Sequence, residues 1–309
     1  MYDLIIVGGG PAGMTAGIYA ARQKLNALLV TKSFGGQMAR KSVDIENYPG
    51  FEKISGLELI QKLEKHLKKR KIEIVIDLVR KIEKTDGNFS VLCGTQKQFQ
   101  AKTVILASGA DPRPLGVPGE KEFIGKGVSY CVACDGPIFS EKEVAVVGGG
   151  NAGFEAALSL ARYVKKIYIL EVRSEVQADE ENQVRAQKTG KVEVLTNVVL
   201  KEVKGKNFVE SLVYQDKKTE KINTLAISGI FVEIGSQPAT SFVRGLVDFN
   251  EKDEIKVNPF NGETSTPGLF AAGDADNVPY KQIIIACGEG AKAAIAVSAY
   301  LQKNGQFQN

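Results

Sequence analysis

A chain of 309 residues, 43% hydrophobic and 25% charged, is long enough for about two domains and has the composition of a soluble globular protein. Its 40 basic against 36 acidic residues leave a net charge of +4, which gives no broad electrostatic case for nucleic acid, and no continuous apolar run reaches the length needed to span a bilayer. Four cysteines are too few for a secreted disulfide framework, and the apolar Met1–Ala20 stretch lacks a basic start and is broken by Gly8-Gly9-Gly10-Pro11, so the expected compartment is a reducing cytoplasm.

The first element is an apolar strand, Leu4-Ile5-Ile6-Val7, running into Gly8-x-Gly10-Pro11-Ala12-Gly13 and then a helix over Met14 to Arg22. In a G-x-G-x-x-G of this context the first glycine makes the tight turn, the second lets a pyrophosphate approach the backbone, and the third packs helix on strand, with the helix N-terminus facing the anion. The next strand, Ala27-Leu28-Leu29-Val30, is expected to end at Thr31, the place that usually reads the adenosine ribose. The lysine-rich run from Lys62 to Lys71 holds the only histidine, His66, and reads as a solvated helix face. Alternating residues Phe89 to Gly94 read as a strand, with Cys93 as one of its members.

Cys131-Val132-Ala133-Cys134-Asp135 follows. A C-x-x-C pair closes a disulfide over a very short loop and can lower the pKa of one thiol, which suits thiolate–disulfide exchange as well as metal binding. Structural zinc needs about four ligands; besides the pair the chain has Cys93, Cys287 and His66, none at ligand spacing. The pair therefore reads as a redox dithiol, with no metal site.

Downstream of the pair the first module repeats. Val144-Ala145-Val146-Val147 leads into Gly148-x-Gly150-Asn151-Ala152-Gly153 and a helix over Phe154 to Arg162, with every glycine offset by 140 from the first copy (148 minus 8, 150 minus 10, 153 minus 13). Two such signatures in register are far more specific than one. The following strand, Ile167 to Leu170, ends at Glu171, 23 residues beyond the first glycine (171 minus 148), as Thr31 is in the first copy (31 minus 8). A carboxylate there can accept hydrogen bonds from ribose hydroxyls, the usual mark of an NAD site, so the two modules hold different ligands. Finally Thr266 to Ala272 reads as a buried strand ending at Gly273-Asp274 and preceding a helix from about Gln282 to Leu301. Asp274 alone reads either as a turn or helix-approach residue or as an acid well placed to receive the hydroxyls of a flavin ribityl chain, and Cys287 reads as a buried small apolar residue.

With these residues in hand the chain resembles the low-molecular-weight thioredoxin reductase family along almost its whole length. The matching motifs are Gly8-x-Gly10-x-x-Gly13, Gly35-Gly36-Gln37, Glu46-Asn47-Tyr48-Pro49-Gly50, Cys131-x-x-Cys134-Asp135, Gly148-x-Gly150-x-x-Gly153, and Gly273-Asp274 with Lys281-Gln282-Ile283. The resemblance implies an α/β fold of two Rossmann-like dinucleotide-binding domains, for FAD and NAD(P)H, the second inserted in the first: residues 1–112 and 240–309 for FAD, 113–239 for the nicotinamide nucleotide and the dithiol, joined through Pro112-Arg113-Pro114 and Gln237-Pro238. It adds Gly36, Gln37, Asn47, Gly109, Lys281, Gln282 and Ile283 to the expected cofactor-binding positions, and it implies a homodimer and a domain rotation during turnover.

Members that use NADPH carry a basic H-R-R-x-x-x-R cluster where this chain has Glu171-Val172-Arg173-Ser174-Glu175-Val176-Gln177. Here, and at Pro279 to Ile285 with Gly288-Glu289-Gly290, the chain looks more like the reductase portion of the alkyl hydroperoxide reductase flavoprotein, which uses NADH. The first strand begins at Tyr2, so the thiol carrier is expected to be a separate thioredoxin- or glutaredoxin-like protein. The resemblance implies that Cys134 lies next to the flavin and that Cys131 attacks the partner. Asp135 is the best candidate for a general acid and base, its alternative role being a helix N-cap. The rival readings are a flavin enzyme passing electrons to ferredoxin or quinone, an NADH oxidase, and a sensor that binds FAD and NADH without turnover.

Overall fold

The computed structural model describes residues 1–40, 44–45 and 47–306, with the backbone alone at Arg40, Asp44, Ala133 and Cys134. The chain divides into two compact units: Met1–Ala39, Asp44–Asp111 and Gln237–Asn309 in the first, and Pro112–Ser236, with Arg40, in the second. The chain crosses at Asp111/Pro112 and Ser236/Gln237, where the short strands Ala110–Pro112 and Ser236–Pro238 pair with each other. The second crossing comes three residues earlier than the sequence boundary at Ala239, because the Ala239 N–H is already hydrogen-bonded to Gly109 O of the first unit at 3.0 Å.

The first unit is built on a sheet in the order Glu73–Ile76, Ala27–Phe34, Tyr2–Gly9, Gln98–Leu106, Asn88–Cys93, Val79–Thr85, with Leu269–Ala271 also pairing to Gln98–Leu106. The half of this sheet around the first glycine signature is parallel, Ile6 lying beside Leu29 on one side and Ile105 on the other. That burial on both faces explains the unbroken apolar run: Leu4, Ile5 and Ile6 have no exposed surface. The helices Pro11–Arg22, Gly56–Lys68 and Ile283–Lys303 supply the core on one face, where Met14, Leu67 and Val297 meet Ile6 and Leu29; Val243, Val247 and Ile255 help to close the other. Ser55 caps the second of these helices by accepting the Glu58 N–H at 3.2 Å, and His66 is exposed along it, 3.1 Å from Arg70.

The first helix starts at Pro11 rather than Met14, because proline at the opening position loses no hydrogen bond that the helix could have used. The strand expected to end at Thr31 continues to Phe34. The last helix, 21 residues from Ile283 to Lys303, is long and apolar enough to cross a membrane by length and composition, although Glu289 and Lys292 interrupt its apolar run. It buries Ala293, Ala294, Val297 and Leu301 in the core shared with the first helix, as a core helix does.

The second unit repeats the plan. Val128–Ser129, Gly229–Val232, Glu143–Val147, Lys166–Leu170 and Val192–Leu195 form a parallel sheet in that order. Beside it lies an antiparallel sheet of Val198–Gly205, Val209–Asp216 and Ile222–Ala226. The helix after the second glycine signature runs from Asn151 to Leu160 and packs Phe154, Ala157 and Leu160 against Val146, Ile167 and Phe231.

Candidate dinucleotide and dithiol sites

Each glycine signature is a strand-to-helix turn whose glycines have separate physical reasons. Gly8 and Gly148 sit at φ of +119° and +122°, a region open to glycine and costly for other residues. A Cβ on Gly8 would lie 2.1 Å from Ala107 O, and one on Gly148 would lie 2.3 Å from Glu233 O. At the third glycines a Cβ would be 1.9 Å from Gly8 O at Gly13 and 1.8 Å from Gly148 O at Gly153, so helix and strand close on each other there. The second glycines differ: a Cβ on Gly10 or Gly150 would meet nothing within 4 Å. Both cradles are therefore shut by protein at the first and third positions and open at the second, ahead of a helix N-terminus, which fits a dinucleotide diphosphate.

Gly13→Ala and Gly153→Ala are expected to destabilise the chain by roughly 3 kcal/mol or more, since backbone cannot yield as a side chain does. Gly10→Ala should stay within about 1 kcal/mol of wild type, because its extended backbone suits alanine, yet retain less dinucleotide. Urea unfolding of ligand-free protein, with bound nucleotide measured in parallel, checks both; equal stability losses at Gly10 and Gly13 would contradict the assignment.

Distant segments of the first unit converge around its cradle. Gln37 Nε2 donates to Asp274 Oδ2 at 2.9 Å, and Asn47 Nδ2 donates to Gln282 Oε1 at 3.1 Å. A Cβ on Gly36 would lie 3.4 Å from Gly10 Cα, and one on Gly273 would lie 3.0 Å from Ala12 Cβ. The Gly273 N–H donates to Glu289 Oε2 at 2.7 Å. Ser108 Oγ, next to the backbone that Gly8 abuts, and Glu289 Oε1 are buried with no hydrogen-bond partner among the described residues. Gly109 is open like Gly10, and Ile283 begins the last helix behind Gln282. Orphaned polar atoms beside an open glycine cradle fit a polar ligand. Glu46 lies outside the described residues.

Two residues expected at the cofactor are otherwise engaged. Lys281 Nζ donates to Asp276 O and sits 3.6 Å from Asp276 Oδ1 and 3.7 Å from Glu254 Oε1; burial pushes the Asp276 carboxyl up to about 6. Thr31 is a buried mid-strand residue whose hydroxyl donates to Ser33 O at 2.7 Å and packs against Gly9, where a Cβ would lie 2.5 Å from Thr31 Oγ1.

Glu171 stands in the matching position of the second unit and is also buried. Its Oε2 accepts the Gly149 N–H at 2.7 Å, and its Oε1 accepts the Arg173 N–H at 2.9 Å. The acid thus pins the glycine turn, a role that the spacing alone does not show, and each oxygen keeps a lone pair for a ribose hydroxyl. Arg173 itself is exposed. Asn151, in the first turn of the helix with Ala152, donates through Nδ2 to Asp179 Oδ2 at 2.8 Å and accepts the Asp179 N–H through Oδ1 at 2.7 Å, fastening the turn to the next helix.

The dithiol segment also belongs to this unit. Strand Val128–Ser129 leads to Cys131, and a helical turn over Val132–Asp135 carries Cys134. Cys131 is disulfide-bonded, and Cys93 and Cys287 are free and buried. The buried Ser129 hydroxyl accepts the Cys131 N–H at 3.0 Å and donates to Asp135 Oδ2 at 2.6 Å. Asp135 makes no side-chain capping bond, which removes the N-cap alternative; its carboxylate is spent on Ser129 instead. Tyr130 OH donates to Glu120 Oε1, and that buried carboxylate also accepts the Leu115 and Gly116 N–H groups at 2.6 and 2.8 Å. Burial, then the Glu120 carboxylate, pushes the Tyr130 phenol up.

Ser129 and Glu120 are absent from the residues read off the sequence. A serine two positions before a cysteine, and an acid after Pro118-Gly119, are common enough in turns to carry no signal alone. Among the described residues no three His, Cys, Asp or Glu side chains gather as a metal-binding group.

Comparison with known proteins agrees with the geometry. The model of the pyridine nucleotide-disulphide oxidoreductase family matches residues 2–290. The F subunit of alkyl hydroperoxide reductase from Pseudomonas aeruginosa is 42% identical over 305 residues, covering 97% of this chain and 58% of that protein. A Bacillus subtilis protein named NADH dehydrogenase is 41% identical over 304 residues, covering 98% and 59%. The chain thus spans less than two thirds of the length of these curated relatives. The crystal structure of Lactococcus lactis thioredoxin reductase in its FR conformation superposes with a TM-score of 0.92 at 37% identity, covering 98% of this chain and all of that one. The resemblance read from the motifs and the fold of two Rossmann-like domains are both upheld, and the chain belongs to the pyridine nucleotide-disulphide oxidoreductase family.

Proposed function

We propose that this protein is an FAD-dependent, NADH-preferring disulfide reductase that passes electrons through Cys131 and Cys134 to a separate thioredoxin- or glutaredoxin-like protein. The observation that carries this is the placement of Cys131, within the Ser129–Asp135 hydrogen-bond network, in the same unit as the second nucleotide cradle. Family membership implies FAD and a pyridine nucleotide. The Gln37–Asp274 and Asn47–Gln282 pairs around Gly10 suit FAD, and Glu171 suits NADH.

When bound, FAD supplies a two-electron acceptor for the nicotinamide hydride. The chain's residues do the rest. The Gly8–Gly13 and Gly148–Gly153 turns orient the two diphosphates, and Glu171 holds its turn in shape while accepting ribose hydroxyls. The disulfide, which this reading assigns to Cys131 and Cys134, takes two electrons and two protons to become a dithiol. Cys131 then attacks the partner's disulfide as a thiolate, forming a mixed disulfide and freeing one partner thiol; Cys134 attacks the Cys131 sulfur, re-forming the Cys131–Cys134 disulfide as the partner's second thiolate leaves and is protonated, so that the partner departs as a dithiol. Asp135 is the group placed to move the accompanying protons, with Ser129 fixing its carboxylate relative to the Cys131 backbone. Cytoplasmic location and a homodimer belong to the same reading.

Purified protein is expected to be yellow, with about one FAD per chain, and anaerobic NADH should bleach it. A folded, colourless protein that takes up no FAD would remove the central claim. The name of the Bacillus subtilis relative favours a second reading, NADH oxidation by an acceptor other than a disulfide. Alkylating the reduced dithiol separates the two: activity that survives alkylation supports the second reading.

A further inference from the structure

The acid of Gly288-Glu289-Gly290 takes no part in the proposed electron transfer. Glu289 lies on the last helix and is 7% exposed. One oxygen, Oε2, accepts the Gly273 N–H at 2.7 Å; the other, Oε1, is buried without a partner among the described residues. Its neighbour Gly290 is pressed onto the first helix, since a Cβ there would lie 2.0 Å from Ala12 O. Gly273 meets the same turn at Ala12 Cβ. Glu289 is thus wedged where the last helix, the Gly273–Asp274 turn and the opening turn of the first helix come together, all within the first unit.

An ionised carboxylate is poorly placed there. It would oppose the negative diphosphate expected at the same helix N-terminus, and it would leave Oε1 as a buried anionic oxygen with no donor. A proton on Oε1 removes both costs. Burial, and then the Asp276 carboxylate, disfavour ionisation and push Glu289 up to about 7, against the Gly273 N–H, Lys281 and Lys292, which favour the charged form. The first turn of the first helix contributes no acidic residue.

We propose that Glu289 is a positioning residue for the flavin dinucleotide, and that binding of FAD takes up one proton from solvent onto Glu289 Oε1 while Oε2 keeps the Gly273–Asp274 turn in place. The inference rests on the FAD reading of the first unit. Because the proton is gained on binding, affinity is full at pH values where Glu289 is already protonated and is lost as the pH rises through the value of the ligand-free protein.

The test titrates the full chain, stripped of flavin, with FAD at pH 6.5, 7.5 and 8.5, using calorimetry in two buffers of different ionisation heat at pH 7.5. Wild type should take up a fraction of a proton per FAD at pH 7.5, and its Kd should weaken roughly tenfold from pH 6.5 to 8.5. Glu289→Gln keeps an oxygen for Gly273 and stays neutral, so its Kd should be flat with pH and its proton uptake gone. Asp276→Asn removes a negative neighbour and should move the fall in affinity to lower pH, which keeps the test decisive if Glu289→Gln folds poorly. A wild-type Kd that is flat with no proton uptake, an unchanged pH slope in Glu289→Gln, or a fall in affinity that stays at the wild-type pH in Asp276→Asn, overturns the proposal. A wild type giving no binding heat at any pH would instead bring down the FAD reading itself.

Discussion

Cys131→Ser and Cys134→Ser proteins are each expected to lose disulfide reduction by on the order of a thousandfold or more, while still allowing NADH to bleach the flavin. The loss is large because each sulfur is one end of the bond that must break and re-form, and a serine hydroxyl cannot replace it in thiolate exchange. The two variants should differ in colour. Cys131→Ser leaves Cys134, the sulfur assigned to the flavin side, as a thiolate able to give a long-wavelength charge-transfer absorption with oxidised flavin. Cys134→Ser leaves the sulfur assigned to the partner side and should lack the band. A band seen in Cys134→Ser alone would reverse the two roles, and full reductase activity in either variant would refute the dithiol pathway.

NADH should be preferred over NADPH by a factor on the order of a hundred in kcat/KM, the equivalent of a few kcal/mol for a like-charge contact in a partly shielded site. Glu171 is buried and fixed by the Gly149 and Arg173 N–H groups, so it cannot swing away from a 2′-phosphate as an exposed side chain could. Arg173 offsets part of the repulsion: it lies two residues away with an exposed side chain free to turn toward a phosphate. Glu171→Ala removes the repulsion, the ribose acceptor and the pin on Gly149 together, so it should narrow the preference chiefly by weakening NADH use. Steady-state rates with both nucleotides measure this. A wild-type enzyme that favours NADPH would show the charge reading to be wrong.

The signals that sequence alone settled are those whose physics is local. A strand, a glycine turn and a helix start lie within about ten residues, so the order of apolar residues, glycines and Pro11 suffices to specify each nucleotide cradle, and the offset of 140 shows that it was built twice. The cysteine spacing is local in the same sense. Helix and strand ends were less legible: Thr31 reads as a strand end, but its strand gains pairing through Ile76 and runs on to Phe34.

What tertiary structure decided is where side chains far apart in sequence spend their hydrogen bonds. Gln37 and Asp274 are 237 residues apart, and Asn47 and Gln282 are 235 apart; no periodicity carries information over such distances. Lys281 belongs to the motif yet turns to Asp276 and Glu254, and Glu171 fits the ribose pattern yet also pins the glycine turn. Ser129, Glu120 and Glu289 are ordinary polar letters in the sequence. Burial makes them consequential, because a polar group removed from water must find a partner in the fold, and the fold alone determines which partner lies within reach.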